Sequence, residues 1–284
     1  MTMRSSQTES FFGSAHPIVR VVLTRVRGSS PREAGTEMFV APNSLFGTIG
    51  GGQLEHIVIT QARSMLADGT LSSRLDLPLG PEIGQCCGGR VEVSLARMRK
   101  AERQAVISRL RDEDDALPHV YVMGAGHVGR AIANLLQHAP VHCVLIDMRK
   151  EELAQCQARV DMRLRAIPEV EIYNAPAGSA FIVLTHDHGL DFLLTSAALE
   201  IGHASYVGMI GSATKRAKLR SWCNSHCNGL SIDQLTCPIG ATASRDKRPE
   251  IIAAFVAAEV LTALTSGARA AGDTEEAALL EAAQ

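Results

Sequence analysis

The stretch that most restricts what this chain can fold into is HVYVMGAGHVGRAIANLLQ, from His119 to Gln137. A short apolar run enters Gly124, Gly126 and Gly129, spaced G-x-G-x-x-G, and a helical apolar pattern leaves them. That order predicts strand, tight turn and helix, the opening unit of a parallel sheet. Such glycines allow a sharp bend, a close backbone approach to a phosphate, and tight helix–strand packing. The helix start adds unpaired N–H groups and the positive end of a dipole, so the turn favours an anion. Asp147, closing the next expected strand, stands where an acid takes a ribose hydroxyl. A turn kept for packing alone, over an empty crevice, is the competing explanation. His127, inside the turn, is either a phosphate contact or an exposed loop histidine.

The same rhythm continues through VHCVLIDMRKEELAQC, AFIVLTHDHGLDFLLTSAAL and ASYVGMIGSATKRAKLRSWC, each a strand followed by a helix. Alternation at these lengths implies right-handed βαβ units and the α/β class. Ligands of such sheets sit beyond the carboxyl ends of the strands. THDHG and GSATKR therefore supply candidates: His186 and His188, and Gly211 and Ser212 at a helix start. Two histidines two apart, with no third ligand in view, are a weak metal signal. Asp187 is either a helix cap or a ligand contact, and Lys215 and Arg216 read as a solvated helix face. Lys247 and Arg248 precede the helix that Pro249 opens, where cations oppose the dipole unless an anion lies between them. Cys143 and Cys156 read as core residues, and the lone C-x3-C of SWCNSHC is too little for a metal site.

The first half is different. From Pro17 to Met98 short β-rich runs alternate with glycine turns, around one helix, QLEHIVITQARSMLADG, that Gly69 stops. This describes a small α+β domain over 17–98, a helix and linker over 99–118, a Rossmann-like domain over 119–266 and a tail over 267–284. Within LGPEIGQCCGGRVEV, Cys86 and Cys87 stand side by side between glycines. Adjacent cysteines are poor partners for a structural disulfide, so the loop asks for chemistry.

Totals narrow the function classes. A net charge of −2 and 4% aromatics give no footprint for nucleic acid or an anionic membrane. Seven scattered cysteines and an N-terminus without an apolar core imply reduced thiols and a cytoplasmic setting. The longest apolar run, IIAAFVAAEVLTALTSG, carries Glu259 and reads as a buried helix rather than a membrane span.

The segments RGSSPREAG, GTIGGGQLE, GQCCGG, GAGHVGRAI, THDH, GMIGSATKR and CPIG occur in the order seen in xanthine dehydrogenase accessory proteins. From about Val19 to Val260 the chain resembles that XdhC/CoxI family, departing from it in ATASRDKRPE after CPIG. The resemblance implies an N-terminal XdhC/CoxI domain ahead of the Rossmann-like one, and a homodimer. It implies a chaperone, not an enzyme of metabolism, that binds the molybdenum cofactor (molybdopterin). Such a chaperone supports sulfuration with a cysteine desulfurase and delivers the cofactor to xanthine dehydrogenase or a related molybdenum hydroxylase. On that footing Cys86 and Cys87 are the thiols that contact molybdenum or carry sulfur, since thiolates are soft ligands and persulfides form reversibly. A buried pair of small side chains is the plain alternative. Gln85, Arg32 with Ser29 and Ser30, and the amides of Gly50, Gly51 and Gly52 are the expected cofactor contacts, with Glu55 as a cap. A nucleotide in the Rossmann-like crevice stays open, as does an NAD(P)-dependent oxidoreductase built on that half.

Overall fold

Alternation in VRVVL decides the first half: Val19, Val21 and Leu23 are fully buried while Arg20 turns to the other face. The computed structural model describes residues 5–14, 17–80, 88–241, 244 and 246–281. The chain divides into two units, Met1–Ala116 and Leu117–Gln284. In the first, β1 (Val19–Arg27) centres a sheet with β2 (Glu37–Val40), β3 (Leu45–Gly47), β4 (Ser72–Pro78) and β5 (Arg90–Arg97). The order is β3-β2-β1-β5-β4, and every pair is antiparallel. Helix α2 (Gly52–Asp68) covers one face through Leu54, Val58, Ala62 and Met65, and ends at Gly69 with φ 83°. The other face packs Ile18, Phe39 and Met98 against Phe12 of α1 (Ser5–Ser14) and Val106 and Leu110 of α3 (Lys100–Asp115). Helix α1 has no apolar period to announce it. Its order comes from docking, with the Phe12 ring edge-on to Phe39 at 4.9 Å.

The second unit runs β6 (His119–Met123), α4 (His127–Leu136), β7 (His142–Asp147), α5 (Lys150–Leu153), β8 (Asp161–Leu164) and α6 (Glu169–Tyr173). It continues with β9 (Ala180–Val183), α7 (His188–Glu200), β10 (Tyr206–Met209), α8 (Ala213–His226), β11 (Leu235–Thr236) and α9 (Pro249–Glu281). All six strands are parallel, in the order β11-β10-β9-β6-β7-β8, so the winding reverses between β6 and β9. Both faces are covered, and every residue of β9 and β10 is buried. Residues of α4 and α9 fill one side of the sheet, and those of α6, α7 and α8 the other. The helix expected after β7 is one turn long. Strand β8 and helix α6 were not legible, because charge alternates along DMRLR and hides its strand signal.

One face of the apolar run at α9 packs into the core. Pro249–Ser266 is long and apolar enough to cross a membrane by length and composition, yet Ala253, Val256 and Val260 are fully buried in the core beside α4. Glu259 has an internal duty: it accepts the Tyr206 hydroxyl at 2.5 Å and the Gly240 amide at 3.0 Å.

Candidate functional site

At the carboxyl ends of β6, β7 and β9 the three glycines of the turn have three different surroundings. A Cβ on Gly124, at φ 126°, would lie 2.5 Å from the Leu184 carbonyl, and one on Gly129 would lie 1.9 Å from the Gly124 carbonyl. These two hold turn, strand and helix together. A Cβ on Gly126, which caps α4, would meet nothing within 4 Å. That side is open to a ligand. A cavity of about 340 Å³ lies there, lined by Gly126, His127, Arg149, Thr185, His186 and Ile210 among others. A deeper, apolar recess is lined by Gly124, Ile146, Asp147, Pro168 and Leu194. Gly124, Gly126, His127, Asp147 and His186 thus meet in one crevice. His188 opens α7 as an exposed residue, and Ser212 caps α8 by accepting the Lys215 amide at 3.3 Å. Asp187 caps α7, accepting from the Leu190 amide at 2.7 Å.

Asp147 has no acceptor to spare. Its side chain, 5% exposed, takes the Ala125 amide at 2.7 Å, the Arg149 amide at 2.9 Å and the Arg149 guanidinium at 3.0 Å through both oxygens. Arg130 closes the circuit, donating at 2.6 Å both to the Ala125 carbonyl and to Glu152. Burial works against the Asp147 charge, but the hydrogen bonds from Arg149 and Ala125 outweigh it, and the carboxyl sits below its ordinary pKa. The acid that would read a ribose is a staple between glycine turn and β7.

In the first unit three loops converge at one end of the sheet. A Cβ on Gly50 would lie 2.5 Å from Pro31, which joins the turn after β3 to the SSPR loop after β1. A Cβ on Gly89 would lie 2.1 Å from the Ser29 carbonyl, which joins the same loop to the exit of the Cys-Cys segment. That segment is clamped at its base, where Leu79 donates to Gly89 at 2.7 Å and Gly88 to Leu79 at 2.8 Å. Gln85, Cys86 and Cys87 lie outside the described residues. Of the turn amides, Ile49 and Gly51 donate to Glu55 at 3.2 and 2.9 Å, and Gly50 donates to the Thr48 hydroxyl at 3.2 Å. Arg90 pairs with Asp76 at 2.6 Å, whereas exposed Arg32 makes no ion pair among the described residues.

The family model for the XdhC Rossmann domain matches residues 120–260, and the model for the XdhC and CoxI family matches residues 13–75. The chain belongs to the XdhC and CoxI family. YqeB, an uncharacterized protein of Escherichia coli K12, is 27% identical over 140 residues, 48% of this chain. The matched region makes up 23% of that relative's length. The crystal structure of a xanthine dehydrogenase from Bacillus halodurans is similar in fold, with a TM-score of 0.79 over 93% of this chain and 96% of that one, at 17% identity.

Two charges of this XdhC-type chain are placed otherwise than the sequence suggested. Lys215 is not a solvated residue: its side chain is 11% exposed and pairs with fully buried Asp191 while donating to the Ile210 carbonyl at 2.9 Å. Asp191 also takes the Thr185 amide at 2.8 Å and hydroxyl at 2.7 Å. The pair ties α7 to α8 behind the crevice, and the sequence signal for it was a charge on each of two helices that the sheet brings together. Arg248 needs no ligand anion, because Asp246 meets it at 2.6 Å. Among the described residues no group of three or more His, Cys, Asp and Glu is placed to hold a metal. Burial pushes the Cys143 thiol up to about 12 and the Cys223 thiol up to about 11, so both are inert.

Proposed function

We propose that this XdhC-family chain is a maturation factor. It holds the molybdenum cofactor as cargo, supports its sulfuration with a cysteine desulfurase, and delivers it to xanthine dehydrogenase or a related molybdenum hydroxylase. Family membership supports this reading, and one observation carries it: the SSPR loop, the triple-glycine turn and the base of the Cys-Cys segment pack together at one sheet end. On this reading Cys86 and Cys87, between Leu79 and Gly88 in the sequence, supply the soft thiolates that contact molybdenum or carry sulfur reversibly. Because Glu55 already fills the amides of Ile49 and Gly51, the cargo's phosphate falls to Arg32 and the hydroxyls of Ser29 and Ser30. A nucleotide moiety belongs in the second unit's crevice, over Gly126 and His127. A dinucleotide read through its ribose would first have to displace Arg149 from Asp147, which weighs against hydride transfer from NAD(P).

The test is anaerobic binding of isolated molybdenum cofactor to the wild type and to Cys86→Ala and Cys87→Ala. Pterin is read by fluorescence after oxidation and molybdenum by elemental analysis. Near-stoichiometric binding that one variant loses supports the proposal and assigns the thiol. Binding that survives both keeps the chaperone and moves the thiols to sulfur transfer. No binding by the wild type overturns it.

A further inference from the structure

The crevice of the second unit holds its charges in balanced pairs, with two exceptions. Arg149 is bound through both oxygens of Asp147 and lies 3.9 Å from Glu152, which Arg130 meets at 2.6 Å. Two guanidinium groups thus answer two carboxylates. From the β10 side the cavity is lined by apolar Ile210, while Lys215 is committed to Asp191. No fixed positive charge is left over. The exceptions are His127, at the start of α4, and His186, in the loop after β9. Both are exposed and line the cavity of about 340 Å³ over Gly126, and neither makes a hydrogen bond or ion pair among the described residues. Asp187 caps α7 and stands within electrostatic reach of His186 and of exposed His188.

We propose that this crevice takes a nucleoside diphosphate ester, and that binding draws protons from solvent onto His127 and His186, which rests on the reading of the crevice as a nucleotide seat. The ligand class and the proton uptake both follow from charge. A pyrophosphate diester carries one negative charge on each phosphate, whereas the start of α4 offers roughly half a positive charge. The shortfall has to be met inside a partly enclosed cavity, where an uncompensated charge is costly. The arginines cannot meet it without uncovering Asp147 or Glu152. Histidine changes its charge between about pH 5 and pH 8, and the cavity presents one imidazole from each of two elements, enough to match two phosphates. Once protonated, an imidazole donates a charge-assisted hydrogen bond to a phosphate oxygen. Affinity is therefore greatest at low pH, where the protons are already in place. It falls as pH rises through the histidine range, by up to about tenfold per pH unit for each linked proton.

Isothermal titration calorimetry of ADP-ribose into the full chain tests the linkage. The diphosphate of that probe is doubly esterified and keeps a constant charge, so a pH dependence comes from the protein. The dissociation constant should rise at least about tenfold between about pH 6 and about pH 8. At about pH 7 the heat of binding should also change with the ionisation enthalpy of the buffer. His127→Gln and His186→Gln alter exposed side chains and should each remove part of the pH slope. The double variant should bind at about pH 6 as weakly as the wild type does at about pH 8, with the slope gone. His203→Gln, ahead of the amino end of β10 and away from the crevice, should keep the wild-type slope. An affinity that ignores pH, or a slope that survives the double variant, overturns the proton linkage and leaves the nucleotide seat standing. No binding at any pH removes the nucleotide from the crevice and the linkage with it.

Discussion

Asp147 shows how one residue can look like a ligand contact and serve as a fastening. Its carboxylate joins the glycine turn to the end of β7 through the Ala125 amide and the Arg149 guanidinium. Because its folded-state pKa is lowered, its contribution is complete above the unfolded value and is lost as pH falls through the folded one. Asp147→Asn is therefore expected to lower the unfolding free energy by about 2 kcal/mol at pH 7. The difference from wild type should shrink progressively as pH falls below about 4, where the unfolded carboxyl takes up its proton, toward the lowered folded value. Urea denaturation at the two pH values measures both. The sequence placed this acid at the right strand end but was silent on Arg149, since an i,i+2 pair in a loop depends on the turn the loop makes.

Among the elements, the turn before α4 was the most legible, because its glycines answer to local geometry. Their separate duties were not. Gly129 sits where a side chain would strike the Gly124 carbonyl at 1.9 Å, while Gly126 faces open space. Gly129→Ala is expected to cost about 2–3 kcal/mol by forcing α4 off the turn, and Gly126→Ala to leave the melting temperature within about 2 °C. Thermal denaturation of both variants distinguishes the two. Helices α1 and α6 and strand β8 left little trace in the sequence for a shared reason. Each is short, and its order is supplied by neighbours: Phe39 for α1, and Arg163 and Arg165 around Glu171 for α6 and β8. Lys215 is the converse case, a charge that composition assigns to water and packing assigns to Asp191.

The whole chain divides between Ala116 and Leu117, and each unit has a core on both faces of its own sheet. Residues 117–284 are accordingly expected to fold when expressed alone, with a cooperative urea transition. A gradual transition in circular dichroism would show that this core needs the rest of the chain.

What the sequence determined by itself was the class of each half, the parallel rhythm of the second, the helix of the first and the family. The first three rest on period, spacing and turn chemistry, which act over a few residues, and the family rests on the resemblance carried by ordered motifs along the chain. The tertiary structure alone decided that the SSPR, triple-glycine and Cys-Cys-base loops share one sheet end, that Asp147 is saturated, and that Lys215 lies buried against Asp191. Those facts depend on which strands become neighbours. Strand order is set by burial and hydrogen bonding between residues far apart in the chain, where local pattern carries no information.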